Sequence, residues 1–229
     1  MNKTLFAATA AIALMTALPA AAGEWYAQVN AGATVSSETD GNTTFTPDDT
    51  DYDPWMRTLG DADEGFAVGA AAGYAVGNGV RVEGEFLYTS NDLDGIPDLD
   101  TNSVELNNAD FFVNVLYDIP MQGGFQPYIG AGVGFGSTTL DIDNESTHDE
   151  GTAWQIKVGA NYPVNDTLTL DFGYRYVEMA DWDNTFEDVD PSFDDDDDDA
   201  GPGDLAVDLS PTAHILTVGA RFKLGNTAE

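Results

Sequence analysis

From Glu24 onward the chain repeats one pattern, in which apolar and polar or small positions alternate with period two. Trp25, Ala27, Val29, Ala31, Ala33 and Val35 alternate with Tyr26, Gln28, Asn30, Gly32 and Thr34. The same alternation recurs over 65–76, 80–88, 109–118, 127–136, 153–162, 167–177 and 215–224. Period two is that of a strand, because successive side chains point to opposite faces. Eight such segments of roughly ten residues are what a small transmembrane barrel requires. The fold class this predicts is all-β: an eight-stranded antiparallel up-and-down transmembrane β-barrel with four long acidic extracellular loops.

The connections alternate as well. Gly77-Asn78-Gly79, Ile119 to Phe125 and Pro163 to Asp166 are short, whereas Ser36 to Glu64, Ser90 to Ser103, Leu140 to Gly151 and Ala180 to Leu209 are long. Outer-membrane barrels have short periplasmic turns and long extracellular loops, so both termini are expected in the periplasm.

A soluble eight-stranded barrel of the lipocalin kind shares the period but puts its apolar face inside. Here the charges decide. Arg81, Lys157, Arg175, Arg221 and Lys223 share one face with Glu83, Glu85, Asp110 and Asp171, opposite the apolar one. The apolar face carries Trp25, Tyr74, Tyr117, Tyr162 and Phe222 near the short turns. Phe66, Tyr88, Phe135, Trp154 and Tyr176 lie toward the long loops. Two aromatic belts mark two membrane interfaces. The nine charged residues are therefore expected to form a paired lumen network. An eight-stranded interior is just wide enough for side chains to fill.

The stretch Pro127 to Gly136, PYIGAGVGFG, could pass for a phosphate loop. Its glycines fall on every second residue, however, and no helix follows, so the G-x-G-x-x-G arrangement is not met. They read as the inward face of a fifth strand, leaving room for the arginines and lysines opposite.

Composition narrows the function. Seven Lys and Arg against 41 Asp and Glu give a formal net charge of -34, which excludes nucleic acid as a partner, since its binding rests on neutralised phosphates. There are no cysteines, hence neither disulfides nor thiolate metal sites. Met1-Asn2-Lys3, the apolar run Leu5 to Leu18 and Pro19-Ala20-Ala21-Ala22 read as a signal peptide cleaved after Ala22. That divides the chain into a signal at 1–22 and a barrel domain at 23–229.

PYIGAGVGFG followed by AWQIKVGANY, LDFGYRY and HILTVGARF resembles the opacity-type surface-antigen family of outer-membrane β-barrels. That family is similar in architecture to the transmembrane domain of outer-membrane protein A. The likeness covers the mature chain with the motifs in order. It departs in one place: such proteins commonly end on an aromatic residue, whereas Lys223 to Glu229 follow Phe222 here. The resemblance implies a surface-facing protein of the Gram-negative outer membrane, in contact with lipid and lipopolysaccharide, monomeric and without cofactor.

Two readings of function follow. The first is a structural, surface-antigen barrel without enzymatic activity; the alternative is a small cation-favouring pore through a charged, gated lumen. The four long loops hold 31 of the 41 acids, and Asp194 to Asp199 form an unbroken run. Asp194, Asp196 and Asp198, with Asp92, Asp94 and Asp98 in a partial EF-hand pattern, are the candidate ligands for Ca2+ or Mg2+. The EF-hand match is incomplete, with Ser90 at the first position and Thr101 where a bidentate Glu belongs. Catalysis at a barrel rim would need a histidine with a serine or carboxylate partner. His148 sits beside Asp149 and Glu150, and His214 near Ser210 and Thr212; both read as solvated or interfacial residues.

Overall fold

The computed structural model describes residues 23–47, 55–58, 62–93, 104–121, 123–142, 145–189 and 203–224. Ten strands follow in chain order: β1 (Glu24–Pro47), β2 (Trp55–Thr58), β3 (Ala62–Gly77), β4 (Val80–Leu93) and β5 (Val104–Asp118). Then come β6 (Gln126–Ile142), β7 (Glu145–Pro163), β8 (Leu168–Glu178), β9 (Trp182–Val189) and β10 (Gly203–Leu224). All pairings are antiparallel, in the order β2-β1-β3-β4-β5-β6-β7-β8-β10-β9, and β1 pairs with β10 to close the cylinder. The barrel has eight staves and not ten, because β2 continues the line of β3 along β1, and β9 continues that of β8 along β10.

The expected alternation holds through the wall. Val29, Val133, Ile156, Phe172 and Val218 are exposed, while Gln28, Asn114, Gln155 and Thr217 are buried. An exposed apolar band around a buried polar interior is the arrangement a bilayer selects. The aromatic belts form in part through ring pairs, Trp25–Tyr74 and Phe125–Tyr162 at the short-turn end and Phe66–Tyr88 and Trp154–Tyr176 at the other. Tyr74 differs from expectation in being covered, since Gly23 donates its N–H to the hydroxyl at 3.1 Å and Trp25 stacks on the ring. The tightest turn, Gly77-Asn78-Gly79, places all three residues at positive φ, which two glycines and an asparagine accept readily.

The long connections differ from the sequence reading. Strands run well past the alternating segments: Ser36–Pro47 of β1 pairs with Gly203–His214 of β10, and β6 and β7 form one hairpin up to Ile142 opposite Glu145. The physical reason is solvent. Beyond the bilayer neither face of a strand must be apolar, so the ladder continues while its hydrophobic signature stops. A bulge between Thr34 and Ser36 also shifts the register of β1, and beyond it Phe45, an odd-numbered residue, is buried.

Candidate functional site

The lumen holds the chemistry, in two layers. The lower one, toward the short turns, is a hydrogen-bonded ion-pair network centred on neighbouring Glu83 and Glu85 of β4. Lys157 of β7 donates to Glu83 at 2.8 Å and to Glu85 at 3.0 Å. Arg175 of β8 reaches the other oxygen of Glu85 at 2.9 Å. Asn114 bridges the two carboxylates, and Gln155 donates to Glu85 at 2.9 Å while accepting from Arg175. Tyr26 donates to Glu83 at 2.9 Å. Arg81 is held in a two-pronged pair with Asp118 at 2.8 and 2.9 Å, which Asn161 also contacts. Glu83, Glu85, Gln155 and Asn114 are at most 1% exposed. Buried charge persists only when paired and hydrogen-bonded, and here three cations meet three carboxylates.

The remaining network candidates behave differently. Asp171 accepts from Tyr128 at 3.2 Å, and Arg221 lies over the Tyr26 ring at 5.4 Å, with no ion pair for either among the described residues. Lys223 leaves the lumen altogether. It pairs with Glu24 at 3.0 Å where both side chains are about half exposed, because β10 by then has reached the rim. Asp110 is 1% exposed, yet among the described residues neither carboxylate oxygen has a hydrogen-bond partner.

The upper layer is apolar. Leu87, Phe112, Val177, Met179 and Ile215, with Ala67, Ala153 and Ala213, form one buried cluster across the lumen. Met179 enters it from the break between β8 and β9, where its N–H is taken by the carbonyl of Pro211 at 2.9 Å. Thr138 sits above, within hydrogen-bond distance of both Asn108 and the Ala180 carbonyl.

Sequence reasoning named the charges and missed this apolar layer, along with Asp118, Asn114, Gln155 and Tyr26. The polar members stood on the inward face and could have been read from phase. Met179 lies at the strand break, where no period remains. The β6 glycines also need correction. Gly130, Gly132 and Gly136 lie beneath Leu116, Asn114 and Asp110 of β5, whose atoms occupy the space a Cβ would take. The room they make is for the neighbouring strand's side chains and not directly for arginines and lysines.

Of the cation candidates, Asp92 is in a ladder opposite Glu105. Ser90–Leu93 are thus extended strand, not the opening of a loop wrapped around a centre. Asp94, Asp98, Asp194, Asp196 and Asp198 lie outside the described residues. His148 is exposed on β7. His214 faces outward, its ring nitrogen against the Tyr174 hydroxyl and its ring edge-on to Tyr176.

A family model described as "Outer membrane protein beta-barrel domain" matches residues 4–222. The chain is 32% identical over 80 residues to outer membrane protein PagN of Salmonella typhimurium (strain LT2), an alignment covering 31% of this chain and 34% of that protein. An uncharacterised protein of Brucella suis biovar 1 (strain 1330) is 26% identical over 202 residues, 70% of this chain and 69% of the other. Among solved structures, the outer membrane protein OprG from Pseudomonas aeruginosa superimposes with a TM-score of 0.60 at 15% identity, covering 88% of this chain and 96% of that one. The likeness to OprG is one of fold.

Proposed function

Since the chain belongs to the outer membrane protein β-barrel family, we propose that it is a closed, non-enzymatic barrel that presents acidic strand arms at the cell surface. It resides in the outer membrane of a Gram-negative bacterium. The observation that carries the reading is the doubly filled lumen: the paired network about Glu83 and Glu85, and above it the apolar layer through Phe112 and Met179. An ion crossing the barrel would have to displace bonded charges and then enter a dry layer, where unpaired charge is most costly. The acids of the described arms, among them Glu105, Asp149, Glu150, Asp181, Asp183 and Asp208, give that end of the barrel a negative potential, suited to cationic ligands and to lipopolysaccharide bridged by divalent cations.

The second reading, a cation-favouring pore, draws on that same negative potential. Planar-bilayer recording of the refolded protein separates the two. The wild type should show no discrete openings, and Arg175→Ala should stay silent because the apolar layer persists. Regular cation-selective openings in the wild type would replace the first reading by the second. The non-enzymatic part is supported by the aromatic packing of His214 on the outer wall. Lipid or peptide turnover abolished by His214→Ala would overturn it.

A further inference from the structure

The wall is not paired all the way up. The β7–β8 ladder ends at Trp154 opposite Glu178, and β9 turns away to pair with β10. Above that level β7 is paired with β6 but, among the described residues, has no ladder partner on its other side. The resulting cleft, of about 490 Å³, is lined by Gly136, Gly151, Asp149, Glu150, Asp181 and Asp183. Its acids alone would be a solvated rim. What lies behind them differs: Asp110 leans over Gly136, with its Oδ1 where a Cβ would sit. Beside Gly136 in the same row is Gly151, against which Ala180 packs, so two glycines and one methyl group lie between Asp110 and the cleft.

Asp110 is also the odd charge of the interior. Among the described residues the interior holds four cations, Arg81, Lys157, Arg175 and Arg221, and five carboxylates, Glu83, Glu85, Asp110, Asp118 and Asp171. Along β5, Phe112 of the apolar layer separates Asp110 from Asn114 and the ion pairs. In the next inward row of the same two strands, Asn108 opposite Thr138, acceptors outnumber protons. Thr138 stands 2.7 Å from Asn108 Oδ1 and 2.8 Å from the Ala180 carbonyl, and one hydroxyl proton serves only one of them. Among the described residues both Asp110 oxygens are unpartnered, and a buried carboxylate without a partner is among the costliest groups in a folded chain. The geometry points to a binding site for a hard, oxygen-seeking cation at Asp110 in the upper lumen, entered sideways through the acidic cleft between β7 and β9. Carboxylate, amide-carbonyl and backbone-carbonyl oxygens in flexible number are the donor set of Ca2+.

Calorimetric titration of the refolded full chain with CaCl2 tests this. The wild type should show one saturable equivalent above the weak uptake of exposed acids. Asp110→Asn, isosteric but uncharged, should weaken that equivalent by about tenfold or more, since ligand charge sets affinity in such sites. Gly136→Ala, whose methyl displaces the Asp110 carboxylate, should do the same. Asp149→Asn with Asp183→Asn should keep the equivalent and slow its filling. Heat-modifiable gel mobility identifies the variants that fold. If neither lumen variant refolds, a wild-type melting temperature that rises and saturates at one equivalent of Ca2+ supports the site. A flat wild-type titration overturns the proposal, as do lumen variants that titrate like the wild type, which would place all binding on the exposed acids.

Discussion

At the scale of single residues, Glu85 does the most to hold the interior together. Its two oxygens receive Arg175, Lys157, Asn114 and Gln155 at 2.8 to 3.0 Å. Glu85→Ala would strand the buried Arg175 and leave Lys157 with Glu83 alone, and breaking a buried pair from one side costs about 3–5 kcal/mol. Urea unfolding of the refolded barrel should show a loss of that size. Lys223→Ala, by contrast, removes a half-exposed pair with Glu24, and such pairs contribute about 0–1 kcal/mol. Its unfolding midpoint should barely move. The contrast separates a network seen by phase from one seen by depth: both lysines occupy inward positions of the alternation, but phase does not say how far along the axis each one stands.

At the scale of strands, the alternation was legible wherever lipid requires it and illegible beyond. Ile129, Ala131 and Val133 announced β6 because one of its faces meets the bilayer. Ser36–Pro47 gave no such sign, since beyond the bilayer no face of a strand is held to an unbroken apolar series. The bulge at Val35 was equally hidden, because a one-residue slip leaves composition unchanged while reversing every later side chain. Pairing of the wall strands was implied by order alone; the interruption at Met179–Asp181 was not. The β6 glycines give a direct test of strand-to-strand fit. Gly132 faces Asn114, the residue bridging Glu83 and Glu85. Gly132→Leu should therefore prevent folding, read as loss of the heat-modifiable band, whereas Ala131→Leu on the lipid face should fold normally.

At the scale of the whole molecule, the barrel is inverted relative to a soluble protein, with its dry surface outside. Val133 is 70% exposed at the middle of β6, facing lipid. Val133→Lys should destabilise the membrane-embedded barrel by about 2–4 kcal/mol, the cost of a basic side chain at the bilayer midplane. The check is its unfolding free energy in vesicles. The same change in detergent, whose micelle adapts around a charge, should cost much less.

The seam between first and last strands has a consequence for how this cylinder comes into being. Trp25 meets Leu224, 199 positions away along the chain, so closure is the contact of greatest sequence separation in the wall and carries the largest loop-closure entropy. Every other pair of wall neighbours is closer along the chain, β3–β4, β5–β6, β6–β7 and β7–β8 as direct hairpins. Those hairpins can accumulate into a curved, open sheet before the ends meet. The closing ladder then runs from Trp25–Leu224 to Pro47–Gly203, far past the bilayer. A zipper of that length, once shut, makes reopening slow, so the protein should persist in the membrane through kinetic resistance as much as through equilibrium stability.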